Sequence, residues 1–259
     1  MIRQAAFDLP AAPPGWDESG LPLIRIVDPS GQAIAWLAPD FGAACVGYAV
    51  RRAGVAGEVW THIFRSTGPP ARVGRPGRYG CSILAALPEH QLRPSANDRD
   101  RALTSRHRWR LIERDPTMAV VEASFLAKTT DSGRQTSSDS LRLRLAARLD
   151  DGTLSLDLVA HNEGATAIPI GLGLRPTFAA GAGPADGDPA LDRGVRIGID
   201  LAAGIRHVVV HTPRQQPEVS IALLGYMPAR GLVRLPPGAR MRVAVSIGVL
   251  GEGSAEATV

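Results

Sequence analysis

Short strand-like runs rich in apolar residues, the clearest of them alternating apolar with polar, recur along the chain from Leu21 onward. A period of two puts successive side chains on opposite faces of a β-strand, one face buried and the other in water. The clearest case is LRLRLAARL followed by TLSLDLVAHN (141–149 and 153–162). Leu141, Leu143 and Leu145 share one face, with Arg142 and Arg144 on the other; Leu154, Leu156 and Leu158 repeat the pattern against Ser155 and Asp157. Asp150-Asp151-Gly152 between them predicts a tight hairpin, because an Asp-Gly turn supplies the positive φ angles that match strand twist. WRLIER, turning at Asp115-Pro116-Thr117 into MAVVEASFLA, predicts a second hairpin. LIRIVD, AIAWLAP and AACVGYAVRR predict three early strands, punctuated by D-P-S-G and P-D-F-G turns. RIGIDLA, HVVVHT, EVSIALLGY and RMRVAVSIGVL predict the strands of the C-terminal half.

The pattern lapses in a few places. Residues 1–20, rich in Pro and Ala, read as a loose N-terminal arm. Residues 66–80 and 179–190 are Gly/Pro-rich loops, and 81–105 is the least regular stretch. TTDSGRQTSSDS (129–140) reads as a polar loop. With no internal repeat and no linker, residues 21–259 are expected to form one all-β domain.

Composition narrows the function classes. The net charge is only +4, Lys128 is the only lysine, and the arginines lie scattered along strands as the polar half of the alternation. That distribution lacks the clustered cations and aromatics of a nucleic-acid surface, so no nucleic-acid partner is expected. Cys45 and Cys81 make neither a disulfide framework nor a zinc site. No apolar run approaches the ~20 residues of a membrane span, and no signal-peptide core opens the chain. A cytoplasmic protein without membrane contact, metal or cofactor is expected. Its oligomeric state does not follow from the pattern.

One segment stands apart. IPIGLGLRPTF, from Ile168 to Phe178, places glycines at alternate positions and sets Arg175 between Leu174 and Pro176. Such glycines indicate backbone packed closely against something, or a ligand approaching it.

The order of these pieces resembles the aldose 1-epimerase family. The family's P-x-x-G-A turn is matched by Pro39-Asp40-Phe41-Gly42-Ala43, and its G-C-x-P-L…P-x-x-N-R segment is echoed by GCSILAALPEHQLR. TSRHRW stands near its H-G…R…W element. Its N…P-x-G-x-G-x-H-P-y-F pattern is met by Asn162 and then Pro169 to Phe178, and its L-x-P-G by Leu235-Pro236-Pro237-Gly238. The resemblance implies a galactose mutarotase-like β-supersandwich with a concave carbohydrate pocket. It also implies proton transfer by a histidine and a glutamate, since ring opening needs a base at the anomeric hydroxyl and an acid at the ring oxygen. At those positions this chain carries Arg175 for the histidine and Ala222 for the glutamate. The sugar-contacting N-R falls near Glu89-His90.

Arg175 is therefore a candidate ligand-binding cation, because a guanidinium stays protonated and suits carboxylate or phosphate. Arg106 and His107 are candidates to add to an anionic pocket, and Tyr226 to stack on a sugar face. His90, His211 and Glu218 are the candidate acid–base groups, with His62, His161 and His207 ranked below them. For Trp60 and Trp109 core packing is the expected role. The expected function is binding of a small carbohydrate, an anionic derivative included, with the usual acid–base set replaced. The alternative is an active epimerase or sugar isomerase using the displaced groups. A third reading, an interaction protein, would go with a pocket plugged by its own side chains.

Overall fold

The computed structural model describes residues 9–16, 20–54, 57–64, 66, 80–86, 108–131, 134–179, 196–211, 218–226 and 231–250. The strands in chain order are β1 (Ile24–Val27), β2 (Ala33–Ala38), β3 (Ala44–Gly54), β4 (Gly57–His62) and β5 (Cys81–Ala86). They continue as β6 (Arg110–Arg114), β7 (Met118–Asp131), β8 (Arg134–Asp150), β9 (Thr153–Asn162) and β10 (Ile168–Ala179). The last are β11 (Arg196–Ala203), β12 (His207–His211), β13 (Glu218–Leu224), β14 (Val233–Leu235) and β15 (Arg240–Leu250). A 3-10 turn at Pro39–Phe41 leads into Gly42 and Ala43, both at positive φ, where the sequence predicts a turn.

The strands form two antiparallel sheets. One has nine strands in the order β1-β2-β3-β5-β10-β13-β12, with β4 beside β3 and β14 beside β10. The other has six, in the order β11-β15-β9-β8-β7-β6. Their inner faces meet in one core. Leu141, Leu143, Leu145, Leu154, Leu156 and Leu158 come from the six-stranded sheet; Ile168, Ile170, Leu172, Leu174 and Phe178 come from β10 of the other. The Asp-Gly hairpin forms as expected: Asp150 pairs with Thr153, and Asp151 and Gly152 have φ of 47° and 70°. Two positive φ angles in a two-residue loop give the turn whose twist suits the flanking strands.

Two expectations need correction. TTDSGRQTSSDS is not a loop: β7 runs to Asp131, β8 starts at Arg134, and pairing continues from Met118↔Arg148 to Asp131↔Arg134. Backbone hydrogen bonding to an adjacent strand carries a ladder through residues that show no apolar alternation. Residues 81–105 are not wholly irregular either, because Cys81–Ala86 is a strand held between β3 and β10. Its run CSILAA is short and lacks alternation because both its faces are covered.

Within the segment expected as an arm, Leu9 and Ala12 pack against a cluster containing Trp16, Trp36, Phe41 and Val46. Trp16 is buried, and its indole donates to Ser66 Oγ at 2.7 Å.

Candidate functional site

Because β10 alternates, the residues between its core side chains face away from the six-stranded sheet: Gly171, Gly173, Arg175 and Thr177. Neighbouring strands continue their rows. Arg175 pairs with Ser82 of β5 on one side. On the other, the constant register from Leu174↔Leu223 to Thr177↔Ser220 sets it level with Ala222 of β13, and Ala222 pairs with Val209 of β12. The row above holds Gly173, Leu224 and His207; the row below holds Thr177, Ser220 and His211; Ala179 pairs with Glu218 beyond that.

The glycines have an internal explanation. A Cβ on Gly171 would lie 2.6 Å from the Tyr226 ring, and one on Gly173 would lie 2.7 Å from the Leu223 carbonyl oxygen and 2.9 Å from Leu224. The Tyr226 ring therefore rests on bare backbone, and Leu84, Ala222, Leu224 and Tyr226 form an apolar cluster with Leu232 and Met241 against it. The upper part of the face is filled by the protein itself. The lower part is polar: half-buried Arg175 and Ser82, and a buried hydroxyl pair in which Thr177 Oγ1 and Ser220 Oγ are 3.1 Å apart. This hydroxyl pair and Ser82 were missed in the sequence reading. Counting by two from Arg175 along β10 would have found Thr177.

Of the sequence candidates, Arg175, Tyr226, His211 and Glu218 fall on this part of the fold, while His90, Arg106 and His107 lie outside the described residues. Positions 211 and 218 lie on adjacent strands two residues out of step, which makes them diagonal neighbours. Diagonal positions are ~7–8 Å apart, within reach of long side chains. His62 stacks on Trp36 with ring centroids 5.9 Å apart, and His161 faces Glu163 on the six-stranded sheet at 3.5 Å. Trp109 is buried in the core edge-on to Phe125, and Trp60 packs against the Trp16 cluster, the expected structural roles. Asn162 is structural too: Nδ2 donates to the Thr166 and Leu235 carbonyls at 2.7 and 2.9 Å, and Oδ1 accepts from Gly164 N.

The two cysteines are register partners on β3 and β5, buried on the core side. Burial pushes the Cys45 thiol up to about 12. Cys81 is also raised, chiefly by burial and then by Cys45, against a lowering hydrogen bond from the Arg175 backbone. Both remain neutral thiols near pH 7 and are poor nucleophiles. Among the described residues, no group of three or more His, Cys, Asp or Glu is arranged to hold a metal ion, and no helix is long and apolar enough to cross a membrane.

No protein-family model matches the chain, and no curated protein is similar to it in sequence. Solved structures are similar in fold. The Slr1438 protein of Synechocystis sp. PCC 6803 superposes with a TM-score of 0.66 at 16% identity, over 90% of this chain and 96% of that one. A galactose mutarotase-like protein from Lactobacillus casei gives 0.62 at 13% identity, over 88% and 100% of the two chains. A GalM/aldose epimerase homologue from C. elegans gives 0.59 at 9% identity, over 88% and 98%. The protein has the galactose mutarotase-like β-sandwich fold.

Proposed function

We propose that the outward face of the nine-stranded sheet around Arg175 binds a small carbohydrate carrying a negative charge. The observation that carries this reading is the row itself. Arg175 and Ala222, the residues standing where the resembled family has its histidine and glutamate, lie level on adjacent strands, β10 and β13, towards the β12 side of the sheet. The two positions at which the resemblance implies a departure from the family's chemistry are thus neighbours, which supports the reading. The similar structures include a galactose mutarotase-like protein and an aldose epimerase homologue, which favours a sugar over other small ligands. Arg175 suits a carboxylate or phosphate substituent, because its planar fork can donate two parallel hydrogen bonds. Ser82, Thr177 and Ser220 supply hydroxyls beside it, and Tyr226 supplies an aromatic edge.

Ring opening needs a proton taken from the anomeric hydroxyl while another is given to the ring oxygen. A guanidinium exchanges no proton at neutral pH, and alanine has none to exchange. Fresh α-galactose followed by polarimetry should then mutarotate at the buffer rate with the protein present. Acceleration that disappears in Arg175→Ala would overturn the binding-only reading.

A second reading is an active sugar isomerase using displaced groups. It is favoured by the diagonal placement of His211 and Glu218 next to the Ser220 row. Glu218 would accept the hydroxyl proton, His211 would supply one to the ring oxygen, and rotation about the first carbon–carbon bond would precede reclosure. This reading requires acceleration lost in both His211→Ala and Glu218→Ala.

A further inference from the structure

The nine-stranded sheet ends, among the described residues, at β12, whose sequence is His-Val-Val-Val-His. Its three valines are exposed on both faces of the strand: Val208 by 44%, Val209 by 41% and Val210 by 61%. Strand edges in stable proteins are ordinarily blunted by charge, proline, shortness or a bulge, because an unpaired row of amides and carbonyls recruits another strand. The other outer strands of this molecule carry such features. β6 is RLIER, with three charged residues and a register shift between Leu111 and Glu113. β11 carries Arg196 and Asp200 and shifts register between Asp200 and Ala203. β4 carries Glu58, ion-paired to Arg51 at 2.9 Å. β1 and β14 are four and three residues long and contain Arg25 and Arg234. β12 has no acidic residue, no arginine, no proline and a continuous register with β13.

The strand also reads the same in both directions. An antiparallel strand paired about a two-fold axis at its central residue meets its own sequence reversed. With the axis at Val209, Val208 falls opposite Val210 of the second copy, His207 opposite His211, and Val209 opposite itself. No like-charged arginines or acids are set against one another, and each copy's exposed valines cover the other's, as an isologous interface requires. We propose that β12 pairs with β12 of a second copy of this chain, joining two nine-stranded sheets into one. The occupant is a second copy because the strand is its own complement. Five residues per side fall below the ~1,200 Å² of a standard interface. The association is therefore weak and concentration-dependent.

The test uses the full chain. Sedimentation velocity from about 10 μM to about 1 mM, the range a sub-standard interface demands, should show a monomer moving towards a dimer. Val209→Glu sets two carboxylates against each other across the axis and should weaken association at least tenfold at unchanged thermal midpoint. Val209→Cys places two thiols directly opposite, ~4.5–5.5 Å between Cα atoms and within disulfide reach. Diamide, taking two protons and two electrons from the pair, should cross-link it to a dimer. Cys45 and Cys81 are buried, and Val59→Cys on the β4 edge should give no covalent dimer under the same oxidant. A monomer at every concentration with no cross-link in Val209→Cys would overturn the proposal, the edge then being covered by the chain's own residues or left bare. Equal cross-linking in Val59→Cys and Val209→Cys would also overturn it, as random collision.

Discussion

At Gly173 and Gly152 the same residue type is required for different reasons, and the difference is measurable. Gly173 sits in a strand where a Cβ would meet the Leu223 carbonyl at 2.7 Å, so alanine must push backbone apart. Overpacking of this kind costs about 1–3 kcal/mol, and Gly173→Ala should lower the chemical denaturation midpoint accordingly. Gly152 has open space around it but φ of 70°, so Gly152→Ala should cost about 1–2 kcal/mol, from conformation alone. Alternate glycines in IPIGLGLRPTF announced a close approach without identifying its partner. Tyr226 and Leu224 lie some fifty residues later, and only the fold brings them to the glycines. A third residue-scale consequence concerns pH. An unfolded cysteine ionises near pH ~8.5, whereas Cys45 holds its proton in the fold up to about 12, and Cys81 and Tyr48 are raised as well. Stability from these neutral groups is complete below the unfolded value and is lost as pH rises through the folded one. Urea midpoints should fall between about pH 8 and about pH 10.5; a midpoint that holds or rises would contradict the assignment.

At the scale of elements, Asn162 ties together the end of β9, the turn before β10 and the end of β14 at Leu235. Asn162→Ala removes a donor from two carbonyls at once, and each buried group left unsatisfied costs about 1–3 kcal/mol. The variant should therefore melt well below the parent, and Asn162→Asp, which turns an acceptor-only carboxylate oxygen on both carbonyls in a buried site, should melt no higher than Asn162→Ala at neutral pH. Equal stability of all three would contradict that role. This element was legible in sequence only as a pattern, an asparagine ending a strand; its hydrogen-bond partners reach across 73 residues. Strands were readable where one face is dry and the other wet, as in β8 and β9. β5, covered on both faces, had no alternation to read. The β7–β8 extension was hidden for the opposite reason, since Ser, Thr and Gln carry no apolar mark and are strands there through ladder pairing.

At the scale of the whole molecule, the sandwich divides its labour between its surfaces. The six-stranded sheet turns a salt-bridged face outward, with Arg142 bonded to Glu163 at 2.6 Å and Arg242 forked onto Asp157 at 2.8 and 2.9 Å. The nine-stranded sheet turns outward two apolar clusters and a polar patch of two adjacent rows, Ser82 and Arg175 in one, Thr177 and Ser220 in the next. The sequence located Arg175 and Ala222 by resemblance, but their alignment in one row depends on the register of β10 with β13, which no local pattern contains. The central claim is that this row binds an anionic sugar through Arg175. Calorimetric titration of galacturonate and galactose into the protein and its Arg175→Ala variant tests it directly. A charge-assisted, bidentate contact is worth about 1.5–3 kcal/mol, so galacturonate should bind at least tenfold more tightly than galactose. Arg175→Ala should erase that preference. Equal affinity for the two sugars, or a preference that survives Arg175→Ala, would contradict the account.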